Sequence, residues 1–444
     1  SPRPLAGEGQ GRGAGERGRG EERGFIDMNR IKQLLAELCP NGVEFRALGE
    51  IGEFIRGSGI QKSDFVENGV GCIHYGQIHT YYGVWANKTL SFINTDFAMR
   101  LRKAKKGDLV IATTSEDDAN VAKAVAWLGE DDVAVSTDAC VFRHNIDCKY
   151  ISYFFQTDNF QLQKHKNITG TKVRRISVDG LAKIKIPIPP LVIQQEIVNI
   201  LDKFVELQAE LQVELKKRKI QYDYYRNALL TFPISPANTV FPWLRKLLNK
   251  YCSDRIDFKT LGDIGNVVMC KRIMKEEMNP LGDIPFYKIG TFGAVADAFI
   301  DAEKYHEYRS KYPFPKKGDI LISAAGTIGR TVVYDGEPAY FQDSNIVWID
   351  NDEGIILNSF LRHLYAVIQW DTDGGTIRRL YNHNIRKVVI PVPPILVQQK
   401  IAAILDKFDC LVNDLTIGLP AEIKARRIQY EYYRNQLLTF DKAA

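Results

Sequence analysis

Three residues with metal-binding side chains stand four apart in the chain: Cys140, His144 and Cys148. Thiolate and imidazole groups can hold zinc, but a closed tetrahedral site needs a fourth ligand, and no C-x-x-C pair accompanies them. The reading taken is therefore buried thiols in a strand. Carboxylates gather in SEDDAN (Ser115–Asn120) and GEDDV (Gly129–Val133), as metal-dependent hydrolysis would require. Neither cluster has a counterpart in the second half of the chain. GTIGRT, from Gly326, lacks the lysine of a phosphate-cradling loop, and no glycine-rich dinucleotide fingerprint follows a strand. The prolines of IPIPPL and IPVPPI are flanked by apolar residues. They lack the acidic or amide residue before, and the aromatic after, that an enzyme acting on a flipped adenine places there. No catalytic residue, no metal site and no cofactor is assigned to this chain.

At 444 residues and 50.4 kDa the chain exceeds one ordinary core, so two or three domains are expected. Its 59 basic residues nearly balance 54 acidic ones, giving a net charge of +5. That permits an anionic partner without requiring one. Seven irregularly spaced cysteines do not form a disulfide framework and favour a reducing cytoplasm. No apolar run approaches the roughly 18 residues of a membrane span, so no membrane partner is expected. Residues 1–27 hold eight glycines and five arginines among five acidic residues. Without an apolar segment this stretch is no signal peptide. It reads as a vector-derived or misassigned extension before a natural start at Met28.

The dominant feature is internal repetition. KIKIPIPPLVIQQEIVNILDKF (Lys183–Phe204) and KVVIPVPPILVQQKIAAILDKF (Lys387–Phe408) agree at 13 of 22 positions. KIQYDYYRNALLTF (Lys219–Phe232) and RIQYEYYRNQLLTF (Arg427–Phe440) agree at 11 of 14. Weaker echoes are KKGDLVIA (Lys105) against KKGDILIS (Lys316), and VRRI (Val173) against IRRL (Ile377). In the conserved blocks apolar residues recur three and four apart, from Ile197, Leu201 and Phe204 to Tyr222, Tyr225 and Leu229. This is the seam of a long amphipathic helix or coiled coil. From Gln194 to Thr231 it would run about 57 Å at 1.5 Å per residue. A lone helix cannot bury such a seam, and the second copy is the natural mate. That copy is four residues longer near TIGLPAE, where Gly418 and Pro420 should interrupt or kink it. Between the conserved blocks lie β-rich runs such as GDLVIATT, DDVAVSTDACVF, GDILISAA and GRTVVYD, separated by turn residues. The expected class is α+β: two homologous mixed α/β domains separated by two long antiparallel helices. The boundaries are 28–183, 184–236, 237–387 and 388–444.

This arrangement, and the doubled IP-x-PP-x-x-x-QQ-x-I-x-x-x-LD-x-F pattern above all, resembles the specificity subunit of type I restriction–modification systems. The resemblance covers essentially everything from Met28 onward. It implies two target recognition domains reading the halves of a split, asymmetric double-stranded DNA sequence. It also implies two docked modification subunits carrying S-adenosylmethionine, with restriction subunits using ATP and Mg. Residues suited to base edges and phosphates are Tyr75, Gln77, His79, Tyr81 and Tyr82, in a segment read as a loop, with Lys172, Arg174 and Arg175. In the second half they are Tyr287, Lys288, Thr291, Arg378, Arg379, Asn382 and His383. The repeated polar residues Gln194, Gln195, Tyr224 and Arg226, with Gln398, Gln399, Tyr432 and Arg434, are candidates for the partner surface. If the helices act as a spacer, deleting or duplicating four residues near Leu211 shifts the gap between half-sites by about one turn's worth of helix. Each half-site stays unchanged in methylation mapping, and altered half-sites would contradict the spacer.

Overall fold

The computed structural model describes residues 28–233, 239–252, 255–374 and 378–443. They form two compact units, 28–212 with 423–443, and 213–422. Both boundaries fall inside conserved helices rather than at their ends.

In the first unit the strand Leu109–Ala112 is buried on both faces. Its side chains alternate, as strand geometry dictates: Leu109 and Ile111 enter one core, Val110 and Ala112 another. The sheet around it runs Gly52–Arg56, Ala139–His144, Leu109–Ala112, Ala124–Trp127, Trp85–Ala86. A second sheet contains the parallel pair Val70–Ile73 and Val133–Val135. The second unit repeats the plan. Its sheet runs Gly265–Val268, Ile346–Asn351, Ile320–Ser323, Thr331–Val333. Ile320 and Ile322 enter one core and Leu321 another. Ile284–Tyr287 and Tyr340–Phe341 supply the parallel pair.

The KKGD echo is a shared turn. Gly107 and Gly318 take φ of 93° and 96°, a region open to glycine at no steric cost. The next aspartate closes each turn, with Lys105 N–H donating to Asp108 and Lys316 N–H to Asp319, both at 2.8 Å. Each domain's entry and exit strands pair antiparallel, Phe45–Ala47 with Lys185–Pro187 and Asp257–Thr260 with Val389–Val392. Both exit strands lead straight into a long helix.

The first long helix spans Leu191–Leu230, 40 residues. The second copy is two helices, Ile395–Asn413 and Leu419–Leu437, broken where Gly418 and Pro420 predict. The Asp414 carboxylate accepts from the N–H groups of Thr416 and Ile417, at 2.6 and 3.1 Å, and so stops the first of them. The seam closes with the same side chains in each unit. Phe204 stacks on Tyr433 at 5.4 Å in the first, and Phe408 stacks on Tyr225 at 5.3 Å in the second. Within the second unit Tyr222 reaches Asp409 and Tyr225 reaches Phe408, so partner numbers fall as numbers rise and the pairing is antiparallel. Ile193, Ile197 and Leu201 share a core with Tyr430, Leu437 and the first β-rich domain. Tyr222 and Leu229 share one with Val397, Ile401, Leu405 and the second. Burying each such apolar side chain is worth about 1.5–3 kcal/mol.

At Gly418 an added Cβ would meet the Cys410 carbonyl oxygen at 2.3 Å. Gly418→Ala is expected to cost about 1–3 kcal/mol through overpacking, measured by urea denaturation. An unchanged midpoint would contradict the close approach.

Candidate nucleic-acid interface

The arginine pair of each unit hangs from a matched backbone relay at the end of the doubly buried strand. In the first unit Thr113 N–H donates to the Asp138 carbonyl at 2.9 Å, and Ile176 N–H donates to the Thr113 carbonyl at 3.0 Å. In the second, Ala324 N–H donates to the Asn345 carbonyl at 2.7 Å, and Leu380 N–H to the Ala324 carbonyl at 2.9 Å. Arg174–Arg175 and Arg378–Arg379 therefore occupy equivalent positions. Ile377, which opens the IRRL echo, lies outside the described residues.

Residues Tyr75–Thr80 form a short helix rather than the expected loop. The imidazole of His74 caps it, accepting from Gly76 N–H at 3.2 Å, while Gln77 Oε1 accepts from His74 N–H at 3.1 Å. Six residues are too few to display a helical period in sequence. The other end of the Gln77 amide donates to Ser91 Oγ at 2.7 Å. Tyr82 is buried, and its hydroxyl accepts from Leu90 N–H at 2.9 Å. Both residues were expected at DNA, yet their polar groups hold the fold. His79 Nε2 lies 2.8 Å from the Thr114 carbonyl oxygen. Thr114–Ser115 pairs in turn with Arg174–Arg175, which brings His79 and the arginines together. Tyr75 is half-buried, whereas Tyr81, Lys172 and Arg175 are exposed. Arg174 is not free: its guanidinium forks onto Asp118, with Nη2 to Oδ2 at 2.9 Å, and also reaches the Gly170 carbonyl. That contact holds the Asp118 carboxyl below the usual carboxylate range.

In the second unit Tyr287 stacks on Phe341 against the core, at 5.8 Å. Lys288 pairs with Asp297 at 2.8 Å, and the Thr291 hydroxyl closes a turn by accepting from Lys288 N–H at 3.1 Å. Arg378 and Asn382 are exposed. Arg379 donates to Asn345 Oδ1 at 2.9 Å. His383 pairs with Asp373 at 3.0 Å, its ring parallel to that of Tyr381. Arg379, Asn382 and His383 line one groove of about 480 Å³, together with Ser344, whose φ is 54°.

The partner-surface candidates divide. Gln195, Gln399, Tyr224 and Tyr432 are exposed. Gln194 and Gln398 are buried and act as latches. Gln194 Oε1 accepts from Asp147 N–H at 3.1 Å and Nε2 donates to the Pro189 carbonyl at 2.7 Å. Gln398 does the same with Leu357 N–H at 2.8 Å and the Pro393 carbonyl at 2.7 Å. Arg434 is also buried, over the Tyr430 ring and reaching Gln156 at 3.4 Å. Arg226 is half-buried over Tyr222 and bound to Asp223. Gln194, Gln398 and Arg434 thus fasten their helices to the neighbouring fold, whereas the contacts of Arg226 stay within its own helix.

The repeated LDKF aspartates were missed. Asp202 accepts from the Tyr153 hydroxyl and Lys149, both at 2.6 Å. Asp406 takes Arg362 and His363 Nε2, both at 2.7 Å. Their recurrence beside a half-buried phenylalanine was the available signal. Of the candidate metal ligands, Cys140 lies in a strand, where burial pushes its thiol up to about 12. Cys148 instead opens a helix and donates to the Asp108 carbonyl at 3.3 Å. Burial lowers His144 to about 4. Among the described residues no group of His, Cys, Asp or Glu is placed to hold a metal, and no helix is long and apolar enough to cross a membrane.

A duplicated recognition-type fold on paired helices defines a class, and sequence comparison names it. The type I restriction modification DNA specificity domain matches residues 40–219 and 254–425, so the chain belongs to that family, with two recognition domains. It is 50% identical over 282 residues to a putative type I restriction enzyme specificity subunit of Haemophilus influenzae, covering 62% of this chain and 68% of that one. It is 31% identical over 316 residues to the EcoR124I/EcoR124II specificity subunit of Escherichia coli, covering 66% and 71%. The fold matches the type I S subunit from M. genitalium with TM-score 0.51 at 17% identity, over 89% of this chain and 96% of that one. A chain from a structural study of type I complex assembly matches with TM-score 0.59 at 15% identity, over 89% and 97%.

His363 stands where the first unit has Tyr153, and burial lowers its pKa from 6.5, against the pull of Asp406. Arg362 acts with the burial; Asp409 acts with Asp406. The folded unit disfavours the protonated imidazole relative to the unfolded chain, whose histidine takes up its proton near 6.5. Its contribution is present above that pH and lost as pH falls. His363→Tyr should therefore show a smaller drop in Tm between about pH 7.5 and about pH 5.5 than the parent. An equal drop would contradict the assignment.

Proposed function

We propose that this chain is the DNA-addressing subunit of a type I restriction–modification complex and carries no catalysis of its own. Residues 28–183 and 237–387 each read one half of a split target, and 184–236 and 388–444 act as spacer helices. The near-identical helices dock two copies of one methyltransferase subunit, through exposed faces bearing Gln195, Tyr224, Gln399 and Tyr432. S-adenosylmethionine, ATP and Mg belong to the methyltransferase and restriction subunits, and the complex works in the cytoplasm. One observation carries the reading: the same sheet plan occurs twice and carries a different segment after its parallel strand each time. A short helix, Tyr75–Thr80, occupies the first unit where a Lys288–Thr291 turn occupies the second. Two readers on one scaffold suit two unlike half-sites. Repeated identical surfaces suit a partner bound twice.

Selection of random-sequence duplexes by the chain complexed with its methyltransferase tests this. A two-part motif with a fixed gap is the expected result, and no enriched motif overturns it. Methyl transfer by the isolated chain would contradict the non-catalytic role.

A further inference from the structure

The two arginines of the first unit's pair differ in their surroundings. Arg174 is neutralised by the Asp118 carboxylate, so it offers a DNA phosphate little net charge. Its neighbour Arg175 is exposed. The strand Arg174–Ile176 is held between Ile168–Thr169 and Thr114–Ser115, which fixes the backbone from which Arg175 projects. At the matched position of the second unit, Arg379 is also exposed. Among the described residues its side-chain hydrogen bond is to the neutral Asn345 amide oxygen. That bond orients the guanidinium without cancelling its charge, so less side-chain freedom remains to be lost on binding. The groove beside Arg379 adds the polar groups of Ser344 and Asn382.

Resting on the function proposed above, we infer that Arg175 and Arg379 are equivalent contacts to the DNA phosphate backbone, and that Arg174 is a structural residue. The logic is one of symmetry. The two units carry different side chains at their recognition segments and so read different bases. A cation kept at the same framework position in both cannot encode that difference. A sequence-independent phosphate can be met twice in the same way.

Salt titrations of the methyltransferase-bound complex test this on two duplexes, one carrying the selected motif and one scrambled. Arg175→Gln and Arg379→Gln should each reduce the steepness of log affinity against log salt by about 0.9, equally on both duplexes. Single-base variants of the motif should keep their ranking. Arg379→Lys should restore the slope, and Arg174→Gln should keep the parental slope while lowering Tm. Parental slopes in both Gln variants overturn the assignment, as does relaxed preference at one base position with the slope unchanged. If no motif is selected, the specificity reading fails, while a slope change on scrambled duplex still supports the phosphate contacts.

Discussion

A helix with an apolar stripe along its whole length cannot exist alone in water, and this protein is organised around that constraint. Along the stripe from Ile193 to Leu229, Phe204 meets Tyr433 and Tyr225 meets Phe408, 229 and 183 positions away in sequence. The first recognition domain therefore completes its core with Tyr430, Leu437 and Leu438, from the far end of the chain. The second completes its own with Tyr222, Leu229 and Leu230, from the first helix copy. The first compact unit is therefore made of two non-adjacent stretches, 28–212 and 423–443, whereas the second is the single stretch 213–422. Antiparallel pairing of two copies of one sequence places the same phenylalanine against the same tyrosine in both units.

Rigid attachment of each domain to its helix follows from the polar residues. A buried amide such as Gln194 or Gln398 costs stability unless both its ends are bonded. Here both ends are bonded, to a helix-start N–H and a proline carbonyl. Asp202 and Asp406 add charged contacts two turns later. The conserved text is thus largely explained by fastening, and only its exposed remainder is available to partners.

The repeat, the seam and the break at Gly418 were legible because they depend on periodicity and on backbone chemistry, which sequence displays directly. The doubly buried strands were legible as apolar runs after a glycine turn. What sequence could not show was where a polar side chain finds its partner. Gln77 and Arg174 look like recognition residues until Ser91 and Asp118 are seen beside them. Arg434 looks solvent-facing until Tyr430 and Gln156 enclose it. The short helix at Tyr75 was hidden because it rests on a histidine cap rather than an apolar period.

The central claim is that each unit carries its own half of the address. The most direct measurement maps methylated bases in the genome of a host expressing the system, after residues 256–387 are replaced by a second copy of 43–183. The account predicts that the first half-site appears twice, with the second half-site lost. An unchanged motif, or retention of the second half-site, would contradict it.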